Sequence, residues 1–264
     1  MLRSFSSLQN GVERILDAND VLANNMANIN TIGYKQAKMV FKDMQEVAIK
    51  KMQNTNEFDP TVNPSLYAGS LSLGPEVSQM MIDFSQGDFI TTDNKLDFAI
   101  KGDGFFVVQG PNNEQMYTRK GNFTLDANGF LTTTDGYKLL KREDNLPIKI
   151  NMDNKDPNSL IITEDGLINY DKETLGYLKV VEFADKSTLV PIEGAMFRNE
   201  VAQNRPNLVR KPEIIQGALE SSNANSISTM LKSIEASRCY ESMTSAIQTT
   251  NDTLQKVINQ TGRF

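Results

Sequence analysis

The chain has 264 residues, enough for one large or two modest domains and a sizeable core. Its 27 basic and 33 acidic side chains give a net charge of −6, which argues against an unaided nucleic-acid or anionic-membrane surface. Histidine is absent and cysteine occurs once, at Cys239, so the commonest general base and metal ligand are missing, as are a disulfide framework and a thiolate metal cluster.

That composition weakens most enzyme readings. The acidity lies in the middle, since residues 1–35 and 221–264 are each close to neutral. No apolar run approaches the ~20 residues of a membrane span. The start, "MLRSFSSLQNGVERILD", is too charged and interrupted for the apolar region of a signal peptide, so by these signals alone the location reads as cytoplasmic.

Met1, Phe5, Leu8, Val12, Ile15, Asn19, Leu22, Met26 and Ile29 recur at spacings of four and three. This is a heptad seam with one polar core position, and it predicts a helix over about residues 3–30, with Gly33 as its terminator. Four asparagines, Asn24, Asn25, Asn28 and Asn30, crowd the end of that helix. Short amides compete for backbone hydrogen bonds and are poor helix-interior residues, so the cluster needs another reason. The expected one is a set of amide bonds that fix packing register with neighbouring subunits, as a buried Asn does in a coiled coil.

Residues 46–72, rich in Asn, Pro and Ser, read as irregular or extended chain. Beyond them the period changes from seven to two. In "LDFAIKGDGFFVV", Leu96, Phe98 and Ile100 alternate with polar residues before Gly102, Gly104 and a fully apolar strand. "FTLDANGFLTTTDGYKLL" predicts three strands around Asn128-Gly129 and Asp135-Gly136 turns, "LIITEDGLINY" a hairpin at Asp165-Gly166, and "LGYLKVVEF" another strand. A second extended connector spans 199–216, with Pro206 and Pro212. Ser221, Ser222, Asn223 and Asn225 are candidate N-caps for a C-terminal helix carrying Ile227, Leu231, Ile234, Tyr240, Met243, Ile247, Leu254 and Val257. The step of six from Ile234 to Tyr240 moves the stripe around that helix and predicts two faces buried against different neighbours.

A long isolated helix is marginal in water, so each terminal helix needs partners, and the other is the nearest candidate. The fold expected is α+β: N- and C-terminal helices paired as a coiled-coil core domain, with an inserted β-rich domain and extended connectors. The boundaries are 1–35 for the N-terminal helix, 36–89 for a connector, 90–198 for the β-rich domain, 199–220 for the return connector and 221–264 for the C-terminal helix. An apolar face left over after pairing is an assembly surface. Its candidate residues are Phe5, Leu8, Val12, Ile15, Leu22, Asn24, Asn25, Met26, Asn28, Ile29, Asn30, Ile227, Leu231, Ile234, Tyr240, Ile247, Leu254 and Val257.

The segment "ANNMANINTIGYK" resembles the N-terminal signature of the bacterial flagellar axial proteins that build rod and hook, through Ala23-Asn24-Asn25, Asn28-Ile29-Asn30-Thr31 and Gly33-Tyr34-Lys35. "LDFAIKGDGFFVV" and "YTRKGNFTLDANGFLTTTDGYKLL" are similar to that family's internal strands. "QGALESSNAN" and "SIEASRCYESM" are similar to its C-terminal segments, with Arg238, Tyr240 and Glu241 matching. Four blocks in order over nearly the whole chain make the resemblance specific. Length and the insertion look closest to the distal rod subunit, with the proximal one next, while Cys239, Met243 and Ser245 depart from the usual pattern.

The resemblance implies a non-enzymatic structural subunit of the flagellar basal-body rod, polymerising helically into the drive shaft that carries torque from motor to hook. It implies as partners further copies of the chain, other rod and hook proteins, the surrounding P- and L-ring bushing proteins and the flagellar export apparatus, with no cofactor and no nucleic acid. It also revises the location, to a rod that spans the periplasm and is exported without a cleaved signal peptide.

The competing class is a β-module adhesin or carbohydrate-binding protein oligomerised by its helices. A carboxylate hydrolase comes third, because no convergent acid pair is identifiable. Gly102-Asp103-Gly104 is read as a tight turn and not a phosphate cradle, since a strand follows it and no Gly-Lys-[Ser/Thr] is present. Asp126, Asp135 and Asp165 are read as turn residues and not a metal site. Cys239 is read as a small buried helix residue.

Overall fold

The computed structural model describes residues 2–43, 47–50, 67–71, 75–110, 113–150, 160–170, 173–192 and 194–261, with side chains over 8–40 and 80–259 of these. The chain forms two compact units. The first takes Met1–Asn24, Ala37–Met81 and Ile227–Phe264, and the second takes Asn25–Gln36 and Ile82–Ser226.

Helices α1 (Leu2–Ala27) and α2 (Ser226–Thr261) supply most of the first unit. Strand Ala37–Asp43 pairs with Pro75–Ile82, and Val47–Lys50 pairs antiparallel with Tyr67–Leu71, so part of the stretch read as irregular is a sheet ladder. The rest of that reading, residues 46, 51–66 and 72, lies outside the described residues. Asn225 directly precedes α2, where a helix start favours a short polar side chain.

The expected coiled-coil pairing of the terminal helices is corrected by the structure. Ile227, Leu231 and Ile234 are 70%, 62% and 52% exposed, and Tyr240 and Val257 are exposed as well. Packed seam positions would be buried. The contacts described between α1 and α2 are of another kind: Ser233 Oγ donates to Asn19 Oδ1 at 3.2 Å, and the Met243 sulfur lies 3.1 Å from where a Cβ on Gly11 would stand. The physical reason is the shifted stripe of α2. Its large apolar side chains fall on more than one face, so no single partner strip covers them. Cys239 is likewise exposed, against the buried position expected for it.

In the second unit the strand Phe105–Gln109 is central. One edge pairs with Gln115–Thr118, and the other with Lys138–Leu139 and Val180–Glu182. Phe106 and Val108 point into one apolar cluster, with Phe98, Ile100, Phe123 and Leu139. Phe105 and Val107 point into a second, with Tyr117, Val181, Phe183 and Phe197. A strand buried on both faces has no polar side to show, which is why this run lacks alternation.

The turn signals place the next elements. Phe123–Leu125 and Leu131–Thr133 pair around Gly129 (φ 80°), and Leu131–Thr133 continues to Lys138–Leu139 past Gly136 (φ 86°). Leu160–Ile162, Leu167–Tyr170 and Glu173–Tyr177 form a three-stranded meander. The stretch read as a return connector supplies Asn207–Leu208, which pairs with Val180–Glu182, and Glu213–Gln216, which pairs with Phe98–Lys101. Gly102-Asp103-Gly104 joins strands of two different sheets, so it is a corner and not a hairpin turn.

Candidate assembly site

The asparagine-rich segment begins as the last turn of α1. Asn28 and Ile29 N–H groups donate to the Asn25 and Met26 carbonyls at 3.3 and 3.4 Å, and Thr31 N–H donates to Asn28 O. Asn25 and Asn28 bond to side chains that follow within ten residues. Asn25 is buried and its Oδ1 accepts from Tyr34 Oη at 3.0 Å, while Asn28 Oδ1 accepts from Thr31 Oγ1 at 3.1 Å. Asn24 and Asn30 are exposed, and Ile29 is half-buried.

Gly33 does not end the helix, which stops six residues earlier. Its φ of +68° lies in the left-handed region, and a Cβ there would stand 2.6 Å from the Arg119 backbone. Both facts demand glycine. Gly33→Ala is expected to destabilise the second unit by about 2–3 kcal/mol through strain and close contact, read as a lower urea midpoint.

From Gly33 the chain runs into a buried ion cluster. The side chains of Lys35 and Glu220 are 0% exposed, and that of Arg119 is 3% exposed. Lys35 Nζ donates to Glu220 Oε1 at 2.6 Å and to Ser85 O at 2.7 Å. Glu220 also accepts from Gly87 N at 3.0 Å and from Arg119 Nη1 at 3.3 Å. Arg119 donates to Ile100 O and Gly102 O, so the Gly102 corner serves to aim carbonyls at a guanidinium. Burial pulls the pKa of both cations down, against the opposing pull of Glu220.

Around the cluster the backbone is stitched together. Gly33 N donates to Glu220 O at 2.8 Å, Gln36 N to Asn223 Oδ1 at 2.8 Å, and Asp83 N to Gln36 O at 2.9 Å. Asn223, read as a possible helix cap, instead donates through Nδ2 to Asp83 O and Ser85 O. The result is a fixed root for the segment that follows α1, close to the residues that precede α2. Lys35, Arg119 and Glu220 all lie in motif blocks recognised from sequence, but no role was legible for them because their partners are far away along the chain.

The remaining assembly candidates divide by exposure. Leu8, Val12, Ile15, Leu22 and Met26 on α1 are half-buried, as are Ile247 and Leu254 on α2. Ile227, Leu231, Ile234, Tyr240 and Val257 are the exposed ones. The side chain of Phe5 lies outside the described residues.

Two family models match the chain: the flagellar hook protein FlgE/F/G D1 domain over residues 99–170, and the flagellar basal body rod FlgEFG protein C-terminal region over 215–261. The flagellar basal-body rod protein FlgG of Agrobacterium fabrum is 31% identical, over 91% of this chain and 92% of its own length. The chain belongs to the FlgG family of flagellar basal-body rod proteins. FlgG of Bacillus subtilis is 30% identical over 98% of this chain and 99% of its own, and the rod protein FlgF of Caulobacter vibrioides is 28% identical over 93% and 92%. Of the cluster residues, Arg119 lies in the first matched region and Glu220 in the second.

Proposed function

We propose that the chain is a structural subunit of the flagellar basal-body rod that homopolymerises helically through its terminal helices. The observation that carries this reading is the exposed apolar surface of α2. That helix is about 54 Å long at 1.5 Å per residue, and it presents Ile227, Leu231, Ile234, Val257 and Ile258 to solvent. Covering what remains exposed of each would contribute about 1–2 kcal/mol. A neighbouring copy supplies that cover. The half-buried seam residues of α1, and Asn24 and Asn30 at its end, lie in the same interface.

The second unit is the outer domain, and its acidity keeps it in water. Family membership supports the finer parts of the reading. The rod transmits torque to the hook, contacts other rod and hook proteins and the P- and L-ring bushings, spans the periplasm, and is built from chains delivered by the flagellar export apparatus without a cleaved signal peptide. The adhesin reading has no support among the relatives, which are rod proteins.

Electron microscopy of basal bodies from a strain lacking the gene tests the assignment. The expected result is a rod that stops short of the hook, restored by the wild-type gene. Full-length rods in the deletion strain overturn it.

A further inference from the structure

Residues 25–36 form a separate thread in the second unit, because the chain on either side of them, through Asn24 and from Ala37, belongs to the first. None of these residues joins either apolar cluster. The thread is held by hydrogen bonds and by the buried Lys35–Glu220 pair. Its receptor is braced independently, with Arg119 held by two carbonyls and the Glu220 carboxylate by Gly87 N as well as Arg119. Segments secured by polar bonds, without a share of the apolar core, open at lower free energy than the core does. When this one opens, the braced receptor keeps a buried carboxylate ready for a lysine.

We propose that this receptor is a recognition site for a Gly-Tyr-Lys-Gln peptide, and that a second copy of the chain supplies that segment when the resident one is released. Specificity has two sources. The backbone at Gly33 passes too close to Arg119 to admit a side chain, and only a long cation reaches both Glu220 Oε1 and Ser85 O. Exchange of one element between identical chains costs few contacts, because each contact is remade. The site uses none of the α2 residues, so it extends the rod reading without depending on it.

The test uses the full chain and a fluorescent synthetic peptide of residues 23–36. A Lys35→Met chain keeps the receptor but loses the anchor of its own segment. It is expected to bind the wild-type peptide roughly ten-fold more tightly than the wild-type chain does, since less of its receptor is occupied. On that chain the Lys35→Met and Gly33→Ala peptides bind at least about ten-fold more weakly, and a Glu220→Gln/Lys35→Met chain loses binding. Hydrogen exchange on the wild-type chain gives a second reading: the amides of Gly33, Gln36 and Asp83 exchange together and ahead of Val107 and Leu140. Absence of peptide binding to a folded Lys35→Met chain overturns the proposal, and so does exchange of residues 33–36 only together with the core. Full-length rods in the deletion strain would remove the rod reading and leave these results untouched.

Discussion

Replacing Glu220 by glutamine is expected to lower the unfolding free energy of the β-rich unit by about 3–5 kcal/mol, one of the largest effects of any single substitution outside the apolar core. The carboxylate is the shared counter-ion of Lys35 and Arg119, and all three side chains are buried. Without it two cations face each other away from water. Lys35→Met is a milder change, at about 1–3 kcal/mol, because Glu220 keeps Arg119 and Gly87 N while Ser85 O loses a donor. Urea titrations of the purified chain, followed by the signals of the buried Tyr117 and Tyr170, measure both. Equal losses in the two variants would mean that the carboxylate does not act as the hub.

Alkaline pH separates the charges further. Burial holds the Lys35 pKa below its ordinary 10.5. Between the depressed value and 10.5 the unfolded chain holds a proton that the folded chain has released, so the contribution of Lys35 to stability rises with pH in that window. Tyr34 and Tyr117 have the opposite sign: burial raises their phenols above 10.0, and their contribution falls as pH climbs past it. Lys35→Met removes only the rising part. Its stability is expected to decline more steeply than that of the wild type as pH approaches 10.5 from below, as read by urea midpoints at successive pH values.

What the sequence makes legible is what neighbouring residues decide. Asn128-Gly129, Asp135-Gly136 and Asp165-Gly166 each need a positive φ within a few residues of alternating apolar positions, so strand, turn and strand can be placed from a short window. The two long helices show their period over many turns. The ion cluster is different, because Lys35 and Glu220 are separated by 185 positions and Arg119 and Glu220 by 101. No local pattern marks such a partnership. A buried lysine looks like any other lysine until the fold brings its carboxylate to it. The asparagines were half legible: their role at the end of α1 is local for Asn25 and Asn28, which bond Tyr34 and Thr31 in the next few residues. Periodicity shows which residues share a helix face, but not what covers that face. That is why a seam could be read correctly as a pattern and still not be packed as a coiled coil within one chain.

The second large effect is on assembly and leaves folding alone. Leu231→Glu is expected to change the urea midpoint by no more than about 0.5 kcal/mol equivalent, because the side chain is already 62% exposed in the single chain. The same substitution is expected to prevent incorporation into polymer. An interface that covers Leu231 would then have to bury a carboxylate without a partner, and that costs more than the leucine contributes. Phe106→Ala supplies the contrast: it removes a buried ring from the main cluster, costs about 3–5 kcal/mol of stability, and weakens assembly only as far as it unfolds the chain. Mixing each variant with wild-type chains and pelleting the polymer measures incorporation, while urea curves on the same samples measure folding. A Leu231→Glu chain that pellets like the wild type would place the copy-to-copy contact elsewhere on the molecule. A chain that folds normally and stays in the supernatant ties polymer growth to the exposed apolar side chains of α2.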